Sequence, residues 1–113
     1  MDVRLVQLLG SFITARSQYA LARLEFAMHF PKKPAPPVID RLGAPSESAL
    51  RDEWPAVERQ LEEAIGFLKQ LERSGEKGLK GDEGFRWLQR SIRELDQYAR
   101  AIRWVLTVSE TET

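Results

Sequence analysis

A row of arginines in the last third of the chain is the feature best suited to binding an anion. The row consists of Arg86, Arg90, Arg93 and Arg100, with Gln97 inside it and Trp104 beyond it. Steps of three, four and seven residues keep these side chains on one side of a helix. Guanidinium groups beside an indole ring are typical of surfaces that bind a phosphate backbone and stack on a base. The row is therefore a candidate anion or nucleic-acid surface.

The same arginines also have potential partners within the chain. The preceding helical segment carries four acidic residues, Glu58, Glu62, Glu63 and Glu72. An acidic helix would lie against a basic one if the two segments form a hairpin, and Asp96 is spaced to pair with Arg100 on one helix. Ion pairs that set the register of packed helices are the more common use of such charges. We favour this structural interpretation and keep nucleic-acid binding as the alternative.

Catalytic and metal chemistry have few candidate residues. The chain has no cysteine and one histidine, His29, which excludes thiol chemistry and cysteine-based zinc sites. In a catalytic triad, His29 would have to be the general base, because the chain has no other histidine. Di-iron bundles use Glu-x-x-His pairs, whereas Glu25 lies four residues before His29. We therefore predict that the protein is not an enzyme and that it uses no metal, cofactor or small-molecule substrate.

The segment RLEFAMH, from Arg23 to His29, has the spacing of a ribonuclease motif. An arginine and a histidine separated by five residues on a helix resemble the motif of the HEPN ribonucleases, which are helical bundles. The resemblance implies that Arg23 and His29 handle the RNA 2′-hydroxyl and phosphate, usually across a dimer. In this chain Leu24 replaces the polar residue that usually follows the arginine, and the motif lies in the first helix rather than late in the bundle. A ribonuclease of this type is a remote alternative, because a histidine at a helix C-terminus more commonly stabilises the helix dipole.

The spacing of apolar residues predicts three long helices and therefore an all-α bundle. The helices run from about Asp2 to Phe30, from the region of Ser46 to Gly75, and from Asp82 to about Val108. Proline fits poorly inside a helix. We therefore expect Pro55 in the first turn of the main second helix, after a short extra helix near residues 46–52.

Each predicted helix has a continuous apolar stripe that indicates the core. The stripes are Leu5, Leu8, Phe12, Ala15, Tyr19, Ala22 and Phe26; Trp54, Val57, Leu61, Ala64, Leu68 and Leu71, supported by Ile65; and Phe85, Leu88, Ile92, Leu95, Ala99, Ile102 and Leu106. The first helix has a second stripe, formed by Val6, Leu9, Ile13, Ala20, Ala27 and Phe30. Its apolar face is broader than a peripheral helix needs. Gly10 costs about 1 kcal/mol relative to alanine inside a helix and is expected to mark a close helix contact.

Two connections organise these helices into one domain over residues 1–113. The proline-rich segment 31–46 reaches about 50 Å when extended, and the first helix is about 43 Å long. The segment can therefore run back along the whole bundle as a packed crossover anchored by Val38, Ile39 and Leu42. Its PxxP spacing leaves a docking motif as the alternative.

The second connection is the glycine-rich turn 75–81, which predicts that the second and third helices form an antiparallel hairpin. Residues 109–113 read as a frayed polar tail. Connectivity alone leaves open whether the first helix runs parallel or antiparallel to the second.

The overall composition is that of a globular protein with balanced charge. Of the 113 residues, 17 are basic and 17 acidic, so no net field draws the chain to nucleic acid or an anionic membrane. No run approaches the roughly 18 apolar residues of a membrane span, and the N-terminal segment is too polar for a secretory signal. Together with the absence of cysteine, these features favour a cytoplasmic protein without a membrane partner.

Exposed aromatic residues lead to the preferred function. Trp87 and Trp104 lie beside the core stripe of the third helix, and Trp and Tyr are common interface anchors. The predicted partner or dimer surface comprises Trp87, Trp104, Tyr98, Phe26 and Phe30. Since three helices do not easily bury all this apolar surface, we expect a homodimer that acts as an adaptor or assembly subunit with a protein partner. A small helical subunit of a ribonucleoprotein, using the arginine row, is the alternative.

Overall fold

The computed structural model describes residues 2–41, 46–75 and 78–111, with side chains as far as Val108. Three helices account for most of these residues: α1 is Val3–His29, α2 is Glu47–Ser74 and α3 is Glu83–Thr111. The described residues contain no strand, and the bundle measures 52 × 22 × 19 Å. The predicted all-α bundle of three long helices is confirmed. The third helix extends past Val108, into the segment predicted to fray.

Short polar side chains set where the helices begin. Asp2 accepts a hydrogen bond from the backbone N–H of Arg4 (2.7 Å), and Ser46 accepts one from that of Ala49 (3.2 Å). Asp82 accepts from the N–H groups of Gly84 (2.7 Å) and Phe85 (3.3 Å), which confirms it as the N-cap of α3. These bonds satisfy donors that the first helical turn leaves free. At the other end of α2, Gly75 has a φ of 59°, a left-handed conformation that favours glycine.

The predicted short helix before Pro55 is wrong, because α2 continues without interruption through this residue. Pro55 lies nine positions into the helix and removes one backbone hydrogen bond, the one to the carbonyl of Arg51. Its ring is exposed. Leu50, Trp54 and Val57 are buried on the opposite side of the same two turns. Their burial stabilises the helix on both sides of the proline.

The core follows the predicted stripes closely. Every predicted core position in α2 and α3 except the flanking Ile65 is buried, and so are all those in α1 except Leu8, which is partly buried. Leu9, Leu50, Leu79 and Val105 join this core. The periodicity of 3.6 residues therefore identified the buried face of each helix.

Contacts between the helix ends define their directions. His29 at the end of α1 contacts Asp82 before α3, and Arg4 near the start of α1 lies over the ring of Trp104 late in α3. Glu58 and Glu72 of α2 contact Arg103 and Gln89 of α3, respectively. Hence α3 runs antiparallel to both other helices. This confirms the predicted hairpin of α2 and α3 and shows that α1 and α2 run parallel.

Side-chain size sets the distances between the helices. Ala15 and Ala22 of α1 and Ser91 of α3 are buried, and small residues let α1 and α3 pack closely. At Gly84 an added Cβ would lie 3.2 Å from Cγ of His29, so the absence of a side chain eases this close approach. Between α1 and α2 the rings are large: Phe12 meets Trp54, and Phe26 meets Phe67, with centroids 5.6 and 6.1 Å apart.

Among the described residues, no Cα of α1 lies within 8 Å of a Cα of α2. The proline-rich segment packs beside this wider gap. From α1, Arg23 donates to the carbonyl of Pro36 (2.8 Å), Tyr19 to that of Pro37 (2.5 Å) and Arg16 to that of Arg41 (2.8 Å). The segment thus runs back along α1, as predicted for the crossover.

The α2 side of the crossover is held by Gln60. Its side-chain oxygen accepts from the N–H groups of Asp40 and Arg41, and its amide donates to the Asp40 carboxylate (2.8 Å). Pro36 is fully buried, and Ile39 is 6% exposed. Val38, in contrast, is about half exposed, and the predicted anchor Leu42 lies outside the described residues. The crossover is in effect a fourth element of the bundle.

Gly10 does not mark a close helix contact. A Cβ added at this position would meet no atom of the described residues within 4 Å. The backbone of α1 is therefore open to an approaching partner at this point.

Tyr19 allows the attachment of the crossover to be tested. Burial raises the pKa of the Tyr19 hydroxyl to about 12, so the group remains a donor to Pro37 at neutral pH. Tyr19→Phe should lower the free energy of unfolding by about 1 kcal/mol, because a part-buried carbonyl loses its donor. Urea denaturation measures this change.

Tyr98→Phe is the matched control for this substitution. Tyr98 is also partly buried, but its hydroxyl makes no hydrogen bond within the described part of the chain. We expect its removal to change the unfolding free energy by less than about 0.5 kcal/mol. Equal losses in the two variants would show that the Pro37 bond does not hold the crossover.

Candidate functional site

The structure places the arginine row on the outer side of α3. Arg86 and Arg90 are exposed, and their side chains make no ion pair or hydrogen bond with the described residues. Arg93 lies 4.0 Å from Glu72, and Arg100 lies 3.0 Å from Asp96. Both of these side chains are 70% or more exposed. The row therefore divides into two arginines with acidic neighbours and two without.

Ion pairs across the α2–α3 hairpin support the structural use of charge only in part. Glu58 pairs with Arg103 at 3.3 Å, and Glu72 contacts both Gln89 and Arg93. Glu62 lines a groove of about 490 Å³ between the helices, and Glu63 is exposed. Exposed pairs of this kind contribute about 0–1 kcal/mol each. They help to set the register of the hairpin, but apolar packing stabilises it.

The five aromatic residues predicted to form an interface have different environments. Trp104 is 59% exposed, and Trp87 and Tyr98 are partly buried. Phe26, however, is fully buried and packs on Phe30 with ring centroids 4.9 Å apart. The prediction for Phe26 is therefore wrong, and Phe30 is mainly a core contact. Phe26 also meets Phe67 of α2, with ring centroids 6.1 Å apart.

Trp104 forms one wall of a groove between α1 and α3. The groove has a volume of about 590 Å³ and includes Leu8, Ala101 and Val105 in its lining. The guanidinium carbon of Arg4 lies 5.9 Å from the centre of the Trp104 ring, a cation–π contact. Because Arg4 also pairs with Asp2 at 3.3 Å, its charge is already balanced.

Trp87 lines a second depression, nearer the start of α3. Its other lining residues are Glu25, Glu83, Arg86 and Arg90. Two carboxylates thus lie beside the two arginines that have no ion-pair partner. This mixture of charges weakens the field that the arginines present to an anion.

His29 is held between two carboxylates at the junction of α1 and α3. Its Nδ1 lies 2.8 Å from Asp82 Oδ2, and its Nε2 lies 3.0 Å from Glu25 Oε1. The hydrogen bond with Asp82, followed by that with Glu25, raises the pKa of His29 above 6.5. Burial acts to raise the pKa of Asp82, but the hydrogen bonds from His29, Phe85 and Gly84 together lower it. The cluster links the end of α1 to the cap of α3.

The structure gives the Arg23 and His29 side chains separate partners. Arg23 donates to the Pro36 carbonyl of the crossover, and His29 contacts Glu25 and Asp82. Both residues thus have structural contacts, with different elements of the bundle. No geometric feature adds support to the ribonuclease resemblance.

A long uncharged surface lies on α1, on the side away from the core. We call it the outer face of α1. It consists of Val3, Val6, Gly10, Ile13, Ser17, Ala20, Leu24 and Ala27, flanked by Leu21 and Met28. All ten residues are exposed, and none is charged. Leu24 is 63% exposed and Met28 is 76% exposed.

The outer faces of the other two helices have a different composition. That of α2 includes Asp52, Arg59 and Glu63, and that of α3 carries the arginine row, all exposed. The charged residues of α1 lie elsewhere. Arg4 pairs with Asp2, Arg16 and Arg23 bind the crossover, and Glu25 binds His29. Only α1 is therefore apolar on both its inner and its outer side.

Sequence reasoning detected the excess apolar surface of α1 but assigned the interface to aromatic residues. The second stripe was the relevant signal, since Val6, Ile13, Ala20 and Ala27 remain exposed. Aliphatic and small residues attract less attention than tryptophan as interface candidates. These exposed positions belong to a surface that has no charged residue along eight helical positions.

The environment of His29 predicts a pH-dependent stability. The folded state raises the pKa of His29, so its contribution is complete below about pH 6.5 and is lost as the pH rises through the higher folded value. Urea denaturation at about pH 5.5 and pH 8.5 should give the lower unfolding free energy at the higher pH. His29→Gln should reduce this difference, and the variant also controls for the titrating N-terminal amine. As the protein has one histidine, NMR can measure its pKa directly, and a value of 6.5 or below would contradict the prediction.

Comparison of the chain with protein-family models, curated proteins and solved structures gives no match. Within residues 2–41, 46–75 and 78–111, no helix is long and apolar enough to cross a membrane. The same residues bring together no group of three or more side chains suited to holding a metal ion. The surfaces of the bundle are therefore the basis for assigning a function.

Proposed function

We propose that this chain is a non-enzymatic interaction module, an adaptor or assembly subunit, that presents the outer face of α1 to a partner helix. The single observation that carries the proposal is the uncharged, exposed surface along the whole length of α1. Its six large apolar side chains expose on the order of 600 Å² in total, the upper range for the largest patch on a monomer. A cytoplasmic location forms part of the proposal.

The setting of this surface favours binding without rearrangement. The inner side of α1 is fixed by Leu5, Phe12 and Tyr19, each of which is at most 1% exposed. The crossover adds three hydrogen bonds from α1 side chains. A helix that is already ordered loses little conformational entropy on binding. The outer face of α1 is thus presented on a rigid support.

The helix-in-groove and helix-on-helix modes of recognition fit this surface best. A partner helix with apolar residues every three and four positions could cover the outer face of α1. The open space around Gly10 allows its backbone to come close. The predicted docking motif in the crossover fits less well, since its carbonyls at Pro36 and Pro37 are already bonded to α1.

Leu24→Glu tests whether the outer face of α1 binds a partner. The wild-type chain, captured gently from its host lysate, should occur in assemblies larger than its own 13.0 kDa. The substitution should reduce their amount at least tenfold, because a carboxylate would be buried against an apolar surface. Native mass spectrometry measures the assemblies, and circular dichroism verifies that helix content is unchanged.

Gln70→Glu is the matched control, because Gln70 is exposed on α2 and the substitution adds the same carboxylate. This variant should assemble like the wild type. If Leu24→Glu and Gln70→Glu behave identically, the outer face of α1 is not the binding surface and the proposal fails.

A second candidate function is nucleic-acid binding through the arginine row. The observation in its favour is that Arg86 and Arg90 are exposed and have no ion-pair partner among the described residues. Against it, Glu25 and Glu83 line the same depression. We rank this candidate second because its field is local and partly neutralised.

Salt dependence separates the two candidates. If the row binds nucleic acid, the affinity for a fluorescent single-stranded RNA should fall steeply between 50 and 200 mM salt, as counterion release requires. Arg86→Gln with Arg90→Gln should reduce the slope of the logarithmic plot by about 1–2. Arg59→Gln, on the outer side of α2, is the control. Fluorescence anisotropy that shows no binding at 50 mM salt would exclude the second candidate.

A further inference from the structure

We infer that the helix covering the outer face of α1 is α1 of a second copy of this chain, packed antiparallel about a two-fold axis at the level of Ala15. The inference rests on the proposed function and specifies its partner. The interface of the homodimer would then be the outer face of α1, and not the predicted surface that includes Trp87 and Trp104.

The spacing of the exposed residues is the first argument. Val3, Val6, Gly10, Ile13, Ser17, Ala20, Leu24 and Ala27 follow steps of three and four without exception. This is the 3.5-residue repeat with which one helix packs against another along its length, knobs into holes. The inner side of α1 also follows steps of three and four, but it is already covered by α2, α3 and the crossover. A helix with this repeat on two sides is expected to pack against another helix on each of them.

The absence of charge is the second argument, and it favours an identical partner. A two-fold interface brings the same surface of both chains together, so a charge in it must find an opposite charge on that same surface or remain buried without a partner. The outer face of α1 has no charged residue. Self-pairing through the arginine row of α3 would instead bring arginines of two copies together. A partner selected by charge has nothing to recognise on α1.

An anionic membrane fits the surface less well than a second copy. Membrane-surface helices flank their apolar face with free basic residues. Here Arg16 and Arg23 bind the carbonyls of Arg41 and Pro36. The outer face of α1 has no basic residue that could bind a lipid headgroup.

The order of side-chain sizes favours the antiparallel direction. In antiparallel helix pairs, each first-position residue of the seven-residue repeat packs against a fourth-position residue of the partner. The layers would be Val3 with Ala27, Val6 with Leu24, Gly10 with Ala20, and Ile13 with Ser17, each occurring twice. Every layer except the glycine–alanine one combines a larger with a smaller side chain. Parallel pairing would instead stack Gly10, Ser17, Ala20 and Ala27 each on itself and leave space at those layers.

The available area reaches the lower limit for a specific dimer. Complete covering of the six large side chains would bury on the order of 600 Å² from each copy, a total on the order of 1,200 Å². The small residues at Gly10, Ser17 and Ala20 allow a close approach of the two backbones. We therefore expect a dimer at micromolar chain concentration.

The mass of the purified protein is the first test. Analytical ultracentrifugation should give twice the 13.0 kDa of one chain. Leu24→Glu should weaken the dimer at least about 100-fold, because each dimer would bury two carboxylates. Gln70→Glu and Trp104→Ala should leave the dissociation constant unchanged within about threefold. Loss of the dimer in Trp104→Ala but not in Leu24→Glu would overturn the inference in favour of the α3 surface.

Cysteine cross-linking tests the direction of the pair, and the chain has no native cysteine to interfere. An equimolar mixture of Val6→Cys and Leu24→Cys, one of them carrying a mass tag, should oxidise to the mixed disulfide. Neither variant alone should cross-link, since in antiparallel helices two copies of the same residue lie about 27 Å apart, beyond the reach of a disulfide. Cross-linking of each variant with itself would overturn the antiparallel arrangement.

Failure of this inference is distinguishable from failure of the proposed function. A purified chain that stays at 13.0 kDa at about 100 µM, while Leu24→Glu still disrupts an assembly from the lysate, would overturn the homodimer and leave the interaction module in place. Binding of the monomer to vesicles containing phosphatidylserine, abolished by Leu24→Glu, would replace the second copy with a membrane surface. If Leu24→Glu affects no assembly of any kind, both proposals fail.

Discussion

Three side chains of α1 attach the crossover to the bundle, and the arrangement of the other elements depends on this attachment. Arg23, Tyr19 and Arg16 bind the carbonyls of Pro36, Pro37 and Arg41 in that order. The chain is thereby returned along α1 before α2 begins. This return makes α1 and α2 parallel, and α3 can then run antiparallel to both. The wide gap between α1 and α2 results from the aromatic rings and the crossover together.

Polar side chains at the helix junctions connect the elements of the bundle to one another. Asp82 caps α3 and contacts His29, so one carboxylate links two helices. Gln60 binds both the backbone and a side chain of the crossover. Each such bond is worth about 1 kcal/mol, less than the burial of a single large core side chain. Their effect is to select this one arrangement of the apolar stripes over others.

The distribution of polar residues leaves one helix distinct from the other two. The hairpin of α2 and α3 has charged outer faces, as expected for helices that face water. In contrast, α1 is apolar on the core side and uncharged on the outside. Exposed apolar surface of this extent commonly marks an interaction site, which is the physical reason for proposing a further helix against it. The same reasoning places the candidate site on an ordinary-looking aliphatic surface rather than on the arginines or tryptophans.

The sequence by itself determined the number of helices, their core faces, the N-cap at Asp82 and the excess apolar surface of α1. These features depend on local spacing and on the chemistry of single residues, which the sequence contains in full. Only the tertiary structure decided that α1 and α2 are parallel, that α2 continues through Pro55 and that Phe26 is buried. It also showed that most of the second stripe of α1 remains exposed, whereas its Leu9 joins the core. These outcomes depend on the relative sizes of side chains on different helices and on long-range contacts such as Tyr19 with Pro37, which no local pattern encodes.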